Sequence, residues 1–561
     1  MGRLHLGHET DVVDPMPVSF AVDGRVAEPR VLEHRWTPDG TTTLYDLGTV
    51  RATERKGIRG AVLCADWRFE GSGRVEVRPI AGERLRAKVT TISLYAGLEA
   101  DLSVRASPLA PVDAPGRLSL RCAIGGGDPV GSLDDRPFAD WLAAHAPRLT
   151  CESEDLARIY AYRWFVVYRN LRRPARWFAG HPMPGELFFE GPVSSWFSAP
   201  IGLSLPLQLR EARWMRTPRG VEDTLRAWAE NKGALRSYAA DPVSPAVELA
   251  RHHALDLREV LEAARAFLRG EGRSPRLPLD GEFPMTVGSW VTGTEYAPDF
   301  FAEVGWDHRR SEMWMAPPTL PRAGEADSHE IRRLTRLRRV DTDVWHWAMT
   351  RAAGGPDLRD ALAKLHLHDG YFRSVGSRPI AEVLGFEAAL PFLLDDFGPR
   401  ERAALAAAVD AWTAPHGLMS TAPGCPGFST ENRWEAGPAA PYDYPCCWNG
   451  PCWSYATSWV LHALGAVAAR TGEAPLRERF ARTWRAWTDS HLALGFPMVA
   501  EHYHPFTGRP YRLIPDYFHS AWLDTFFRHV AGVGGPPLVD AGPLRVEGVP
   551  LRGELVDVER G

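Results

Sequence analysis

The hydrophobic pattern changes its period once along the chain, and this change constrains the fold more than any other feature. Between about residues 18 and 122, short runs such as Val75-Glu76-Val77 and Leu118-Ser119-Leu120 alternate apolar and other residues, with Gly, Pro and Asp between the runs. This alternation predicts antiparallel strands, most simply a β-sandwich. After Gly125-Gly126-Gly127-Asp128-Pro129 the spacing becomes helical. We therefore expect a mainly α chain with an N-terminal β domain.

About a dozen helices are predicted after the break, joined by connections that are alternately short and long. They fall near residues 155–171, 202–215, 220–231, 245–268, 330–352, 356–367, 380–394, 399–413, 453–470, 475–494 and 517–534. A closed ring of helical hairpins has this pattern, with a site where the long loops gather. The expected domains are a β-sandwich-like domain (1–125), a linker (126–150), a helical catalytic domain (151–535) and a short closing β segment (536–561).

Composition narrows the function classes. A chain of 561 residues exceeds one ordinary core. Its net charge of -5, without a basic block, argues against a nucleic-acid partner. No apolar run approaches a membrane span, and the first residues lack the apolar core of a signal peptide, so we expect a cytoplasmic protein with no membrane partner. Seven scattered Cys do not indicate a disulfide framework. The 21 Trp, several in loops beside Gly and Pro, favour a carbohydrate ligand.

Three loops rich in aromatic residues place candidate binding residues between the C-terminal helices. The first contains Trp448-Asn449-Gly450-Pro451-Cys452-Trp453, the second Glu501-His502-Tyr503-His504, and the third Tyr517-Phe518-His519-Ser520. We expect Trp448 and Trp453 to form a stacking floor for a sugar and Asn449 to bridge adjacent hydroxyls. Tyr517 and His519 are expected to donate hydrogen bonds to the sugar. Packing at a helix start remains an alternative role for each of them.

A fourth loop, from about residue 270 to 328, is too apolar for disorder and long enough to be functional. It contains Trp290 and the run Gly293-Thr294-Glu295-Tyr296-Ala297-Pro298. Aromatic neighbours are expected to raise the pKa of Glu295, whereas the polar neighbours of Glu501 favour its ionised form. A protonated Glu295 suits a general acid, and an ionised Glu501 suits a general base.

These motifs together resemble the mannosylglycerate-hydrolase-like glycoside hydrolases, relatives of the processing α-glucosidases and trehalases. The resemblance is carried by Trp448-x-Gly450-Pro451-x-Trp453, by Glu501-x-Tyr503-x-Pro505-x-Thr507-Gly508 and by Tyr517-x-His519-Ser520. The Glu295 run is similar to the family's Gly-Met-Asp-x-x-Pro loop, with Glu in place of Asp, and Arg210 to Arg216 is similar to its Glu-Gly-Arg-Trp-Leu-Arg helix. The similarity covers roughly residues 150–535.

The resemblance implies an (α/α)6 toroid that hydrolyses an α-glycosidic bond of a small soluble glycoside with inversion and without a metal or cofactor. By position, Glu295 is the general acid and Glu501 the general base. The implied substrate-binding residues are Trp448, Asn449, Trp453, Tyr503, Tyr517, His519, Arg213, Trp214, Trp290 and Tyr296. The oligomeric state stays open.

Three alternatives remain. The non-consensus Glu295 is compatible with a sugar-binding or regulatory toroid that has lost turnover. Cys425, Cys446, Cys447 and Cys452 offer thiolates for a zinc site of the arabinofuranosidase type, although adjacent Cys form an awkward chelate. An isomerase would use His bases, for which His502, His504 and His519 are available.

Overall fold

The structure is a computed structural model of the chain. It describes residues 3–5, 11–13, 18–37, 40–59, 62–79, 87–90, 99–102, 104–106, 110–124, 137–172, 185–191, 201, 204–230, 243–259, 262, 279–280, 283–284, 367–368, 371–372, 384–393, 397–425, 428–431, 433–434, 442–443, 448–511 and 516–561. The described residues form two compact units, divided between His145 and Ala146.

The N-terminal unit is an antiparallel β domain, as the alternating pattern predicts. Its strands are β1 (Arg3–His5), β2 (Asp11–Val13), β3 (Val18–Val22), β4 (Arg25–Ala27), β5 (Arg30–Thr37), β6 (Gly40–Asp46), β7 (Val50–Arg59), β8 (Val62–Pro79), β9 (Ala87–Thr90), β10 (Glu99–Leu102), β11 (Val104–Ala106) and β12 (Val112–Ile124), followed by helix α1 (Pro137–His145). Eight strands form one sheet in the order β11-β12-β8-β7-β6-β5, with β3 pairing with both β8 and β4.

A buried carboxylate lies in the core of this sheet, which the sequence pattern does not reveal. Glu54 is buried and accepts hydrogen bonds from the indole N–H of Trp67 and the hydroxyl of Tyr45, both at 2.9 Å. The Lys56 ammonium lies 3.1 Å from the same carboxylate. Because burying a charge without partners is costly, these three contacts make the buried charge tolerable.

The second unit is mainly helical. Its helices are α2 (Glu154–Asn170), α3 (Leu205–Ala212), α4 (Val221–Glu230), α5 (Val243–His253), a 3-10 helix (Phe386–Leu393), α6 (Pro399–Trp412), α7 (Ser454–Thr471), α8 (Ala474–Ser490) and α9 (Trp522–His529). Its strands are short: β13 (Arg148–Cys151), β14 (Leu171–Arg172), β15 (Leu187–Phe188), β16 (Leu279–Asp280), β17 (Phe283–Pro284), β18 (Leu367–His368), β19 (Tyr371–Phe372), β20 (Thr413–Ala414), β21 (Gly417–Leu418), β22 (Arg433–Trp434), β23 (Tyr442–Asp443), β24 (Cys452–Trp453), β25 (His502–Tyr503), β26 (Leu544–Leu551) and β27 (Glu554–Arg560).

The chain therefore has an antiparallel β-sheet domain followed by a helical one. The two closing strands predicted at the C-terminus are present as β26 and β27, and β26 also pairs with β13. The helices predicted near 330–352 and 356–367 lie outside the described residues. Among the helices that the structure describes, none combines the length and apolar character needed to cross a membrane.

Helix α7 is the central element of the described helical unit, since 14 of its 18 residues are buried. It lacks a side-chain cap at its start and ends at Gly472, whose φ of 69° suits a left-handed C-terminal residue. Gly465 allows α9 to approach, because a Cβ there would lie 2.5 Å from Nε2 of His529. A helix buried on nearly all faces is the scaffold on which the neighbouring loops rest.

The last helix is shorter than predicted. We expected it over residues 517–534, but α9 begins at Trp522 because the backbone just before it bonds to other elements. The Tyr517 N–H donates to the Val499 carbonyl (3.2 Å), and the Phe518 N–H donates to the Glu190 carbonyl (2.6 Å). The Ala521 N–H donates to the Ser458 hydroxyl on α7 at 3.0 Å. Residues 516–520 are consequently not helical, and we call them the 516–520 segment.

Buried histidines make the stability of this unit depend on pH. Burial lowers the pKa of His491, His519 and His529 to about 3 in each case. In the unfolded chain these imidazoles take up protons near the usual pKa of about 6.5, so the unfolded state binds more protons as the pH falls. Their contribution to stability is thus fully present above about pH 6.5 and is lost progressively as the pH falls toward 3.

We predict that the free energy of unfolding decreases between pH 7 and pH 4.5 by up to about 1.4 kcal/mol per pH unit for each of these histidines. His491→Gln removes one titrating group, so the slope of the free energy of unfolding against pH should fall by up to about 1.4 kcal/mol per pH unit, which corresponds to one proton. Urea unfolding at a series of pH values measures both slopes. An equal slope in the variant and the wild type would contradict the assignment.

Candidate functional site

Two of the predicted loops are joined by hydrogen-bonded backbone. Strand β24 pairs with β25 so that Cys452 lies opposite Tyr503 and Trp453 lies opposite His502. The other side of Cys452 forms a bridge with Met419. The loop that contains Trp448 and Trp453 and the loop that contains Glu501 therefore form one rigid surface at the start of α7.

The Trp-x-Gly-Pro turn needs its glycine for space. A Cβ on Gly450 would lie 2.3 Å from the Ser429 carbonyl oxygen, closer than any real contact. The Gly450 N–H donates to the Ser420 hydroxyl at 3.2 Å, and the Trp448 carbonyl accepts from the Thr421 hydroxyl at 2.9 Å. These bonds fix the turn against residues 420–429 and orient the indole of Trp448.

The backbone that leads to Glu501 is held by tyrosine hydroxyls. The Val499 N–H donates to the Tyr162 hydroxyl at 3.0 Å, and the Ala500 N–H donates to the Tyr503 hydroxyl at 2.5 Å. The Tyr503 hydroxyl in turn donates to the Met498 carbonyl at 3.2 Å. Tyr503, predicted to bind substrate, thus has its hydroxyl engaged inside its own loop.

Glu501 itself is 5% exposed. Its carbonyl accepts a hydrogen bond from Nε2 of His519 at 3.1 Å, and its carboxylate oxygen Oε2 lies 3.9 Å from Nδ1 of His502. The structure therefore brings together Glu501 and His519, two of the residues that the sequence predicted to share a site.

The 516–520 segment is clamped to helix α2 through Asp516. One carboxylate oxygen of Asp516 accepts from the Tyr162 hydroxyl and the other accepts from Arg169, while its carbonyl accepts from the Asn170 amide at 2.8 Å. Asp516 is buried and has a φ of 66°, a backbone conformation that costs a non-glycine residue about 1–3 kcal/mol unless its surroundings hold it. The Tyr162 hydroxyl bonds to both Val499 and Asp516. It therefore positions the loop that carries Glu501 and the 516–520 segment that carries His519.

Five rings stack in a row beside Glu501. Trp448 and Trp453 lie 3.9 Å apart at 8°, and Trp453 and His502 lie 4.3 Å apart at 7°. Phe386 stacks on Trp448 at 5.7 Å, and Tyr511 stacks on His502 at 5.2 Å. Both faces of Trp453 are therefore covered by other rings. The predicted stacking of Trp453 on a sugar remains untested, and this packing does not favour it.

Nε1 of Trp448 and Nδ1 of His519 are ring nitrogens that are buried near this stack without a hydrogen-bond partner among the described residues. The ring of Tyr455 contacts both residues, with its centroid 6.0 Å from that of Trp448 and 6.3 Å from that of His519. A ligand with hydroxyl groups satisfies such atoms, whereas an apolar ligand does not.

Asn449 and Tyr517 are completely buried at the same loops. The Asn449 carbonyl accepts from the Ser429 N–H at 3.0 Å. The Tyr517 ring lies 5.2 Å from the ring of His519. Both residues thus lie with the Glu501 and Trp448 loops, and their expected contacts with sugar hydroxyls remain predictions.

Arg213 and Trp214 lie in a buried ionic cluster. Arg213 donates to Asp524 and to Glu248, and the Trp214 indole N–H donates to Asp524 at 2.8 Å. Arg528 also donates to Glu248 at 2.5 Å. Burial opposes ionisation of Glu248, but the arginines prevail and lower its pKa to about 2. These contacts explain both residues as packing between α3, α5 and α9, and their predicted role in substrate binding is untested.

Comparisons with known proteins identify the family. The family model for the mannosylglycerate hydrolase MGH1-like glycoside hydrolase domain matches residues 204–520, which is more than half of the chain. The chain belongs to this family. The matched range includes the loops of Trp448, Glu501 and His519.

Comparison with solved structures supports the fold only. A sialidase structure matches with a TM-score of 0.54 at 15% identity, covering 96% of this chain and 53% of the sialidase chain. This MGH1-like chain thus spans about half the length of that structure. A putative kojibiose phosphorylase from the human microbiome matches with a TM-score of 0.43 at 8% identity, covering 97% of this chain and 83% of its own, which is too low to carry an argument. A search of curated protein sequences found no significant match.

Several predicted residues of the MGH1-like domain lie outside the described residues. They are Glu295, Trp290, Tyr296, Cys446 and Cys447. Among the residues that the structure describes, no group of three or more His, Cys, Asp and Glu side chains is placed to hold a metal ion. Cys452 is buried in an apolar cluster with Met419 and Met498, where burial strongly raises the pKa of its thiol.

Sequence reasoning missed three residues that shape the site. Tyr162 and Asp516 form the clamp described above, and Glu190 is a buried carboxylate whose Oε2 accepts from the Ser204 hydroxyl at 2.6 Å. The Glu190 carbonyl also holds Phe518 in the 516–520 segment. Tyr162 lies inside α2 and is not among the predicted site residues, and Glu190 carries no signal of spacing or periodicity.

We predict that Tyr162→Phe loosens the Glu501 loop. The change removes a donor to Asp516 and leaves the Val499 N–H buried without its acceptor, which should cost about 1–3 kcal/mol. Hydrogen exchange at the Val499 amide should become faster together with the loss of stability. Tyr160→Phe is the matched control, because it removes a buried hydrogen bond of the same helix, to the Pro147 carbonyl at 2.7 Å, and should leave Val499 exchange unchanged. Equal exchange at Val499 in both variants would exclude the clamp.

Proposed function

We propose that this protein is an inverting glycoside hydrolase that cleaves an α-glycosidic bond of a small soluble carbohydrate, with Glu501 as general base. The observation that carries the proposal is the fixed, buried position of Glu501 in a member of a glycoside hydrolase family. The loop is held by Tyr162, Tyr503 and His519. A base must keep its distance to the attacked carbon, so a rigid loop is what this chemistry needs.

In the proposed reaction, Glu501 accepts a proton from a water molecule whose oxygen attacks the anomeric carbon. The general acid donates a proton to the glycosidic oxygen, the bond from that oxygen to the anomeric carbon breaks, and the β anomer is released from an α-glycoside. Inversion requires the two carboxyl groups to lie about 6.5 to 9.5 Å apart. We assign the acid to Glu295 on the resemblance of its loop to that of the family.

The substrate is proposed to be a carbohydrate because the groups presented near Glu501 are polar atoms on aromatic rings. Trp448 offers an N–H donor, and His519 offers a ring nitrogen. Sugars combine apolar ring faces with hydroxyl groups and suit such a surround. Contacts of Asn449, Tyr517, Trp290 and Tyr296 with the substrate are part of the same proposal.

The finer architecture is also a proposal. We infer that the helical unit closes into an (α/α)6 toroid and that the N-terminal sheet forms a sandwich, with domain limits at 1–125, 126–150, 151–535 and 536–561. The burial of α7 on nearly all faces supports a ring with inner helices. A cytoplasmic location remains a prediction from the sequence.

The first experiment measures which anomer the wild type releases. A panel of α-linked glycosides, including glycosylglycerates and disaccharides, is followed by proton NMR. We expect the β anomer to appear first, and Glu501→Gln to lower turnover by about a hundredfold or more. Glu478→Gln, which changes an exposed glutamate, should have wild-type turnover. Release of the α anomer first would overturn inversion.

An α-glycosyl fluoride then separates the two carboxyl groups. Fluoride leaves without protonation, so Glu295→Gln should retain much of its turnover on the fluoride while losing it on ordinary glycosides. Glu501→Gln should lose turnover on both, because the water still needs a base. Binding of the panel without hydrolysis of any compound, fluoride included, would instead favour the sugar-binding protein without turnover.

A further inference from the structure

The tautomer of His519 is fixed by its contact with the loop of the proposed base. Nε2 of His519 lies 3.1 Å from the carbonyl oxygen of Glu501. A carbonyl oxygen only accepts hydrogen bonds, so the hydrogen of the neutral ring must be on Nε2. The other nitrogen, Nδ1, then carries a lone pair and cannot donate.

This lone pair is buried and lacks a donor. His519 is 3% exposed, and its Nδ1 has no hydrogen-bond partner among the described residues. Burial lowers the pKa of His519 to about 3, so the ring stays neutral and Nδ1 remains an acceptor at physiological pH. A buried acceptor without a partner is costly, and a ligand that supplies a donor removes that cost.

A second buried atom without a partner among the described residues belongs to Trp448 and has the opposite polarity. Nε1 of Trp448 carries a hydrogen and is buried without an acceptor among the described residues. The Tyr455 ring contacts both Trp448 and His519. The site thus offers one acceptor and one donor at separate points, which suits a ligand with several hydroxyl groups rather than a single ion.

We propose that His519 determines substrate specificity by accepting a hydrogen bond at Nδ1 from one particular sugar hydroxyl. The inference rests on the proposed function and deepens it. It also reverses the expectation from sequence, in which His519 donates to the sugar. A group that accepts only, such as fluorine or an ether oxygen, should be rejected at that hydroxyl position.

Binding is tested with methyl α-D-glucopyranoside and methyl α-D-mannopyranoside together with their monodeoxy and monodeoxyfluoro analogues. In the wild type, the deoxy and deoxyfluoro analogues at one position should both bind about tenfold or more weakly than the parent glycoside. His519→Phe removes the acceptor, so the difference between hydroxyl and fluorine at that position should disappear.

His491→Phe is the matched control. His491 is also buried, its Nδ1 lies 2.8 Å from the Trp487 carbonyl, and its Nε2 has no partner among the described residues. His491→Phe should keep the full discrimination between hydroxyl and fluorine. If it abolishes the discrimination as His519→Phe does, loss of a buried histidine explains the effect and the proposal is wrong.

A measurement on the wild type guards against a variant that fails to fold. Long-range nitrogen-proton NMR of ¹⁵N-histidine reports which ring nitrogen is protonated. We expect Nδ1 of His519 to be unprotonated, and its resonance to shift with the parent glycoside but not with the deoxyfluoro analogue. A proton on Nδ1 overturns the proposal.

The outcomes also separate this proposal from the proposed function. A wild type that hydrolyses glycosides with inversion, yet binds every hydroxyl and fluoro pair equally, overturns the role of His519 alone. A wild type that neither binds nor hydrolyses any glycoside overturns both.

Discussion

The structure of the site depends on how the backbone N–H and C=O groups of a non-helical segment, residues 516–520, find hydrogen-bond partners inside a helical unit. Residues 516–520 make no helical hydrogen bonds, and buried N–H and C=O groups must find partners elsewhere. Glu190 and Val499 supply carbonyls, and the side chains of Asn170 and Gln208 supply donors. Arg163 adds two more donors, to the hydroxyl and the carbonyl of Ser520, while pairing with Glu211.

The same contacts give His519 its chemical character. In a helix beginning at Tyr517, these backbone groups would form hydrogen bonds within the helix. Glu190, Val499 and Gln208 would then lose their bonds to this segment. Because the segment is not helical, these groups bond to other elements, and His519 contacts the Glu501 carbonyl with one ring nitrogen fixed as a donor. The position of the proposed base and the polarity of the proposed specificity residue are therefore two results of one packing arrangement.

The stack of rings gives the site rigidity. Parallel rings at 3.9 and 4.3 Å lie on the two faces of Trp453, which does not favour a sugar stacked there. What Trp453 contributes is the position of His502, which lies opposite it in the β24–β25 pair and beside Glu501. An aromatic residue in a family motif can thus act on a site through packing, while the indole nitrogen of its neighbour Trp448 is the group proposed to contact the substrate.

Sequence reasoning located the elements and the loops but not the contacts between distant residues. The helix predicted over 453–470 is Ser454–Thr471 in the structure, because its apolar spacing and the following Gly472 are local signals. The start of α9 was wrong because the partners of residues 517 and 518 lie at Val499 and Glu190. One partner of Arg213 is Asp524, which is more than 300 residues away in the sequence, and no local sequence pattern predicts this contact.

The rigidity of the Glu501 loop bears on the acid as well. Glu295 stands where the family's loop has Asp, and one more methylene moves a carboxyl by about a bond length, a displacement that can cost roughly a hundredfold in rate. Glu501 cannot shift to compensate, since the backbone from Val499 to Glu501 is bonded to Tyr162, Tyr503 and His519. In the proposed reaction, compensation must therefore arise on the side of Glu295, through the path of its loop or through the placement of the leaving oxygen. The proposal thus makes turnover depend on how far that loop stands from Glu501, whose position is fixed.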